Sequence, residues 1–347
     1  MLRTLIAAAV IAGGLATAGA HADTLKITIG AAQADNHAPI FVGVEKGFFA
    51  DAGLDPKVIL YPTGVEEVNG QLNGAQQVSV LGSIPFLNGV SNGFPLLMIA
   101  QLHGDPTATS YSANQGVVAS AASGIKAGDL AALKGKRIGL PFGTDAQMYV
   151  SGLLAQVGLT SADVRLNNAQ PAQLATALQN GDDDAISVWE PWSSAAVLNV
   201  NGAVKVIEGG CTDCYLPGTV LTSRQIATGQ QEVLQRFMIA FARAEQWVRQ
   251  HPDEAAEIDT HWIQGVSADV LKSALHHSVF DPRLSKANAE GFSEKTIPAL
   301  MKDHRLRASF DPAKAIDPEF ILYAESKAPQ YFSDLPPIPD SLRLSSP

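Results

Sequence analysis

Cysteine is almost missing from this chain. Cys211 and Cys214 are the only two in 347 residues, too few for the disulfide framework of a small secreted domain or for a multi-cysteine metal cluster. Basic residues are scarce as well. There are 24 Lys and Arg against 34 Asp and Glu, a net charge of −10, and no Lys/Arg cluster, so the phosphate-binding footprint of a nucleic-acid binder is lacking. No G-x-S-x-G elbow and no G-x-x-x-x-G-K-[ST] loop occurs, which removes the best-marked hydrolase and nucleotide sites. The histidines, His276-His277 included, show no metal-ligand spacing. Beyond residue 22 no apolar run is long enough to span a bilayer.

What is present begins at the N-terminus. Met1-Leu2-Arg3 precedes an apolar stretch over 5–20 and then Ala20-His21-Ala22. This is the order of a secretory signal, basic region, apolar core and A-x-A site, with cleavage expected before Asp23. The mature chain of about 325 residues then carries −11, since Arg3 leaves with the signal. That length exceeds the size at which a single core usually divides. In an exported protein, Cys211 and Cys214 in "CTDC" are expected to form a short-loop disulfide; their flanks read as loop, not as the helix start a redox pair wants.

The order of elements repeats. Residues 25–100 read as strand "LKITIG", a polar loop, helix "PIFVGVEKGFFADAG", strand "PKVILYP", helix, strand "VSVLG", then Ser83-Ile84-Pro85-Phe86. Residues 134–192 run through the same order and close on "AISVWEPW". The Gly-Leu pairs at 53–54 and 158–159 mark helix ends, where glycine takes the left-handed conformation without steric cost. Alternating strands and helices of these lengths predict α/β architecture with mainly parallel sheets. Two such units predict two lobes. Ligands in open parallel sheets lie beyond the carboxyl ends of the strands, so loops 31–39, 82–86, 141–145 and 189–192 are expected to share one cleft.

Gly/Ser/Thr-rich stretches at 103–120 and 209–223 read as crossings between lobes. After 223 an apolar stripe at 233, 234, 237, 238, 241, 244, 247 and 248 predicts an amphipathic helix packed on the first lobe. The expected division is a signal at 1–22, lobe 1 from 23–108 plus 218–330, lobe 2 inserted at 109–217, and a tail at 331–347. Prolines 336, 337 and 339 suggest an extended, weakly ordered end for that tail.

With these stretches assembled, "NHAPIFVGVEKGFFADAGLD" (36–55), "GSIPFLNGVSNGFPL" (82–96), "SGIKAGDLAALKGKRIGLPFGTDA" (123–146) and "ALQNGDDDAISVWEPW" (177–192) resemble periplasmic solute-binding proteins of ABC importers. The branch is the one serving taurine, alkanesulfonates, nitrate and the thiamine pyrimidine precursor. The resemblance implies a two-lobed periplasmic-binding-protein fold of type II with a two-crossing hinge. It also implies a periplasmic, monomeric partner of inner-membrane permease subunits, with no cofactor. One departure stands out. Where the family has Gly-x-x-Asp before its strand, this chain has Gly74-Ala75-Gln76-Gln77, a position expected to be structural.

Candidate ligand groups follow from the four loops. Trp189 is suited either to core or to stacking on a ligand. Glu190 is suited to a hinge salt bridge or to a ligand amine or amide. Trp192 is expected to pack, and Pro191 to fix the turn. Asp35 or Asn36 could cap the helix that begins at Pro39; the resemblance brings Asn36 and His37 to the cleft. Gly143-Thr144-Asp145 opens a helix and offers an anion seat, in sulfonate-type relatives one for the acidic head group, unless Asp145 fills it. Gly82-Ser83 offers a weaker one. Asp182-Asp183-Asp184 reads as a solvated turn rather than a metal site.

The reading is a solute binder that closes on a small polar organic molecule, sulfonate- or taurine-like, or amine-, amide- or pyrimidine-like. Three others compete: an enzyme of the pyrimidine-precursor synthase branch, for which the cysteine cluster is lacking; a redox protein using Cys211 and Cys214; and a chemoreceptor-docking sensor using the same cleft.

Overall fold

The computed structural model describes residues 24–344; the expected export signal lies outside the described residues. The chain builds two sheets in succession and then returns to the first. The strands are β1 (Leu25–Ala32), β2 (Leu54–Tyr61), β3 (Val78–Gly82), β4 (Leu96–His103), β5 (Gln115–Ala119), β6 (Arg137–Leu140), β7 (Arg165–Asn168), β8 (Ala185–Trp189), β9 (Val204–Glu208) and β10 (Gly218–Ser223). The first sheet has the order β2-β1-β3-β10-β4 and the second β7-β6-β8-β5-β9. Helices flank both, so the molecule is a two-lobed α/β protein.

The repeat seen in the sequence is a repeat of topology. In the first sheet β1 runs parallel to β2, from Leu25 opposite Leu54 to Ala32 opposite Tyr61, and parallel to β3. In the second β6 runs parallel to β7 and β8. Each sheet contains one antiparallel member, β10 between β3 and β4, and β5 between β8 and β9. Both are strands that have just crossed from the other lobe, which is why an otherwise parallel pattern breaks there. The two crossings also pair with one another: Tyr111 N donates to Cys214 O at 2.9 Å and Leu216 N to Tyr111 O at 2.8 Å.

Several local expectations are met and some are revised. Gly53 and Gly158 have φ of 75° and 72°, as helix-ending glycines should. The single helix read over 39–53 is instead two, Ala38–Glu45 and Phe48–Asp51, interrupted by Gly47 at φ 73°. The helix Gln231–Gln250 buries Leu234, Phe237, Met238, Phe241, Ala244 and Val248. It lies on the first lobe, with Phe237 stacked on Phe49 at 5.5 Å and Arg243 paired with Asp51 at 2.8 Å.

The acidic run is not merely solvated. Asp184 forms a two-point pair with Arg137 (3.2 and 2.8 Å), and buried Asp183 accepts from Asn167 Nδ2 at 2.6 Å. It therefore ties β8 to β6 and β7. The proline-rich tail is also held. Asp334 pairs with Arg249 at 2.9 Å, Pro336 O accepts from Arg283 Nη2 at 2.7 Å, and Ile338 is buried. Proline lacks a donor but keeps its carbonyl, and buried Arg283 uses that of Pro336. Cys211 and Cys214 are joined as a disulfide, both buried against Gly152, where any side chain would collide with the two sulfurs.

Candidate functional site

The carboxyl ends of β1, β3, β6 and β8 converge, and their loops line a small cleft between the lobes. Of the residues singled out from sequence, Asn36, His37, Gly82, Thr144, Asp145 and Trp189 line it. Ser83 and Glu190 do not.

On the first lobe, the chain leaves β1 into a single helical turn, Asp35–His37. Neither Asp35 nor Asn36 caps the helix Ala38–Glu45 that follows; its cap position is His37, with no side-chain cap bond. The Ala32 amide donates to His37 Nδ1 at 2.9 Å, which leaves the ring proton on Nε2. Asn36 Nδ2 meets His103 Nε2 at 2.9 Å, and His103 Nδ1 lies 3.3 Å from the Tyr111 hydroxyl. Burial lowers the pKa of both histidines to about 3, so both rings are neutral at ordinary pH. Gly218 gives His103 its room, since a side chain there would strike the imidazole. Asp35 itself is fully buried with neither carboxyl oxygen partnered. Burial first, and then the nearby Glu190, push its pKa up to about 8.

The second lobe reaches across the cleft through Asp145. Its Oδ2 accepts from Ser83 N at 3.2 Å and its Oδ1 from Ile84 N at 2.8 Å. These amides open the helix Ser83–Ser91, whose positive end attracts an anion. Asp145 thus fills a helix end, but that of the opposite lobe. Gly82 permits the approach, since a Cβ there would lie 2.6 Å from Asp145 Oδ2. Burial raises the Asp145 pKa to about 7, against the pull of the two amides and of Arg305. Thr144 is the cap residue of the helix Asp145–Gln156, but its hydroxyl donates to Pro141 O at 2.7 Å.

The two indoles separate in role. Trp189 lines the cleft with Nε1 unpartnered, whereas Trp192 is half-buried and donates to Gln33 O at 2.8 Å, a second tie between lobes. Glu190, expected as a ligand group or a hinge salt bridge, points elsewhere. It is fully buried and accepts from Ser193 Oγ, Ser194 N and Oγ, and Lys205 Nζ at 3.0 Å. The ammonium and hydroxyls behind β8 hold it more favourably than an empty cleft. Lys205 also bonds Glu208 at 2.8 Å, and Glu208 pairs across the lobes with His277 at 3.0 Å. Oxygen and nitrogen atoms of Glu190, Glu208 and His277 come within 4.8 Å of one another, yet the Lys205 ammonium already bonds both carboxylates and His277 pairs with Glu208, so this cluster reads as an ion-pair network rather than a metal centre.

Sequence reasoning did not single out Glu67, His103, Asn114 and Gln115, all of which line the cleft. His103, Asn114 and Gln115 lie in a segment read as a crossing, and a hinge strand borders any cleft it joins; that was the available signal. Glu67 had none, being one of two adjacent acids at the start of a helix.

A physical regularity connects these residues. Asn36 Oδ1, both Glu67 carboxyl oxygens, Ser83 Oγ, Gln115 Oε1 and Trp189 Nε1 are buried and unpartnered. A buried polar group left unmade costs about 1–3 kcal/mol, and native interiors rarely tolerate it. All six atoms belong to residues on, or next to, the cleft wall, and they come from both lobes.

Comparison with known proteins agrees with the fold. Residues 34–255 match the model of the family described as "NMT1/THI5 like". The "Putative aliphatic sulfonates-binding protein" of Bacillus subtilis (strain 168) is 30% identical over 310 residues, 88% of this chain and 86% of that one. The 4-amino-5-hydroxymethyl-2-methylpyrimidine phosphate synthase of Uromyces fabae is 28% identical over 223 residues, 63% of this chain and 59% of that one. Among solved structures, the alkanesulfonate-binding protein SsuA from Xanthomonas axonopodis pv. citri, bound to MOPS, superposes with a TM-score of 0.74 at 21% identity, over 85% of this chain and 99% of that one. By the extent of the family match and of the Bacillus relative, this chain belongs to the NMT1/THI5-like family.

Proposed function

We propose that this protein is the periplasmic solute-capturing component of an ABC importer, closing its two lobes on a small polar organic molecule and presenting the closed form to permease subunits in the inner membrane. The observation that carries the reading is the set of buried, unpartnered polar atoms contributed by both lobes to one cleft. A ligand satisfying them gains contacts from both sides only when the lobes are together, so its binding energy favours closure. The sulfonate-binding relatives support the same role.

A catalytic role has less support. His37 and His103 have ring nitrogens committed to Ala32 and Asn36, and both are held neutral. The disulfide is buried away from the cleft, which disfavours a redox role.

The test is a thermal-shift screen of residues 23–347 with alkanesulfonates, taurine, nitrate, aminopyrimidines, amino acids and small amides, paired with solution scattering. A ligand at 100 times its Kd adds about 2.7 kcal/mol of stability. A compound that raises Tm, compacts the protein and is recovered unchanged supports the reading. A compound that raises Tm and is consumed would replace it with an enzyme.

A further inference from the structure

The cleft also has a chemical polarity. Among the described residues, its lining holds two carboxyl groups, Glu67 and Asp145, and no lysine or arginine. The helix end best placed to receive an oxyanion, that of Ser83–Ser91, is already occupied by Asp145. Arg305 is near enough to lower the Asp145 pKa but does not line the cleft. Of the unpartnered atoms on lining residues, Asn36 Oδ1 and Gln115 Oε1 are acceptors, Trp189 Nε1 is a donor, and the Glu67 carboxyl accepts through its carbonyl oxygen, and through both oxygens once a donor stabilises its ionised form. A ligand that completes this wall must chiefly donate.

Glu67 is the group with most to gain. It is fully buried on the first turn of the helix Gly64–Leu72, and neither of its oxygens has a well-formed hydrogen bond, the Val80 amide being a nearby donor. Burial, and secondarily Glu66, hold its pKa well above the carboxylate range, with the Val80 amide offsetting part of this. The residue is positioned rather than loose. Gln76 Nε2 donates to Glu67 O at 3.0 Å and to Ser79 Oγ at 2.9 Å. Gln76, next to the position where Gln77 departs from the family pattern, therefore braces the turn that carries Glu67.

We infer that Glu67 is the ligand-recognising carboxyl of the cleft, and that the group it takes is an N–H donor (a protonated amine, an amidine or a primary amide) on a flat body set against Trp189, not an oxyanion. This rests on the solute-binding reading and narrows it. Trp189 offers a ring for stacking, Asn36 and Gln115 accept further N–H bonds, and Asp145 repels an anionic head group.

Four probes of one shape separate the possibilities: benzamidine, benzamide, benzoate and benzenesulfonate, titrated calorimetrically to millimolar concentration against the wild type and Glu67→Gln. The expected result is binding of benzamidine and benzamide, no binding of the two anions, and at least a ten-fold loss of benzamidine affinity in Glu67→Gln. An unchanged ligand-free Tm would show that the variant is folded. Binding of benzenesulfonate or benzoate as tightly as benzamidine would overturn the inference while leaving solute capture standing. Equal benzamidine affinity in both proteins would overturn the role of Glu67. Silence from all four probes would also overturn it, since a flat N–H donor must be accepted.

Discussion

Asp145 joins the two lobes through a single carboxylate, and the consequences of changing it can be read at the atom. Replacing it with alanine removes both bonds to the Ser83 and Ile84 amides, and is expected to weaken ligand binding roughly a hundred-fold or more, since charge-assisted bonds contribute roughly 1.5–3 kcal/mol each. Gly82→Ala should act similarly from the other side, because its Cβ would intrude on the carboxylate; calorimetry against ligand-free Tm separates lost closure from lost folding. Protonation enters here too. In an open cleft Asp145 would titrate near 3.8, and in the closed one near 7, so the closed form binds the proton more tightly. Closure is then strongest near pH 4 and is weakened as pH rises through 7. His277, whose pKa is raised by Glu208, contributes in the same direction: its pairing is present below its ordinary value of 6.5 and is lost as pH rises through the raised value. Affinity should fall on the order of a hundred-fold from pH 5 to pH 8, and Asp145→Asn should flatten much of that slope.

Among the elements, the second sheet depends on the Arg137–Asp184 clamp between β6 and β8 and the first on the helix Gln231–Gln250. Phe237→Ala should cost about 3–5 kcal/mol in urea unfolding, because the ring is fully buried and stacked between Phe49 and Phe241. Deleting the tail beyond Ser333 should lower Tm, as Arg249 and Arg283 lose Asp334 and the Pro336 carbonyl. At this scale the sequence was most readable. Period and helix-ending glycines marked out the repeated strands and helices, and the strand-end rule brought four distant loops together. What it could not convey was direction. Glu190 turns from the cleft because Lys205, fifteen residues later in the chain, lies behind it. Asp145 finds its partners 61 and 62 residues away. Glu67 looks like any solvent-facing acid until the fold covers it.

For the molecule as a whole, buried acids set the response to pH. Asp35 titrates near 8, and Glu67, Glu245 and Asp259 are pushed well above their ordinary range, each chiefly by burial. The folded chain therefore keeps protons that the unfolded chain releases from about pH 4 upward. Each such group removes about 1.4 kcal/mol of stability per pH unit between its two values. Tm should be higher at pH 5.5 than at pH 8.5, and Asp259→Asn, outside the cleft lining, should raise Tm chiefly at the alkaline end. A differential-calorimetry series across that range checks both.

The central place of β10 has a bearing on how the protein is made. Synthesis delivers β3 and β4 more than a hundred residues before the strand that lies between them, whereas every strand of the second sheet falls within the unbroken stretch 115–208. The inserted lobe can thus assemble while the first still has a vacant slot flanked by two unpaired, apolar strand edges. Exposed edges of that kind recruit other chains. A nascent chain halted before residue 218 should accordingly be the species most in need of a chaperone, and the one most prone to associate with its own kind.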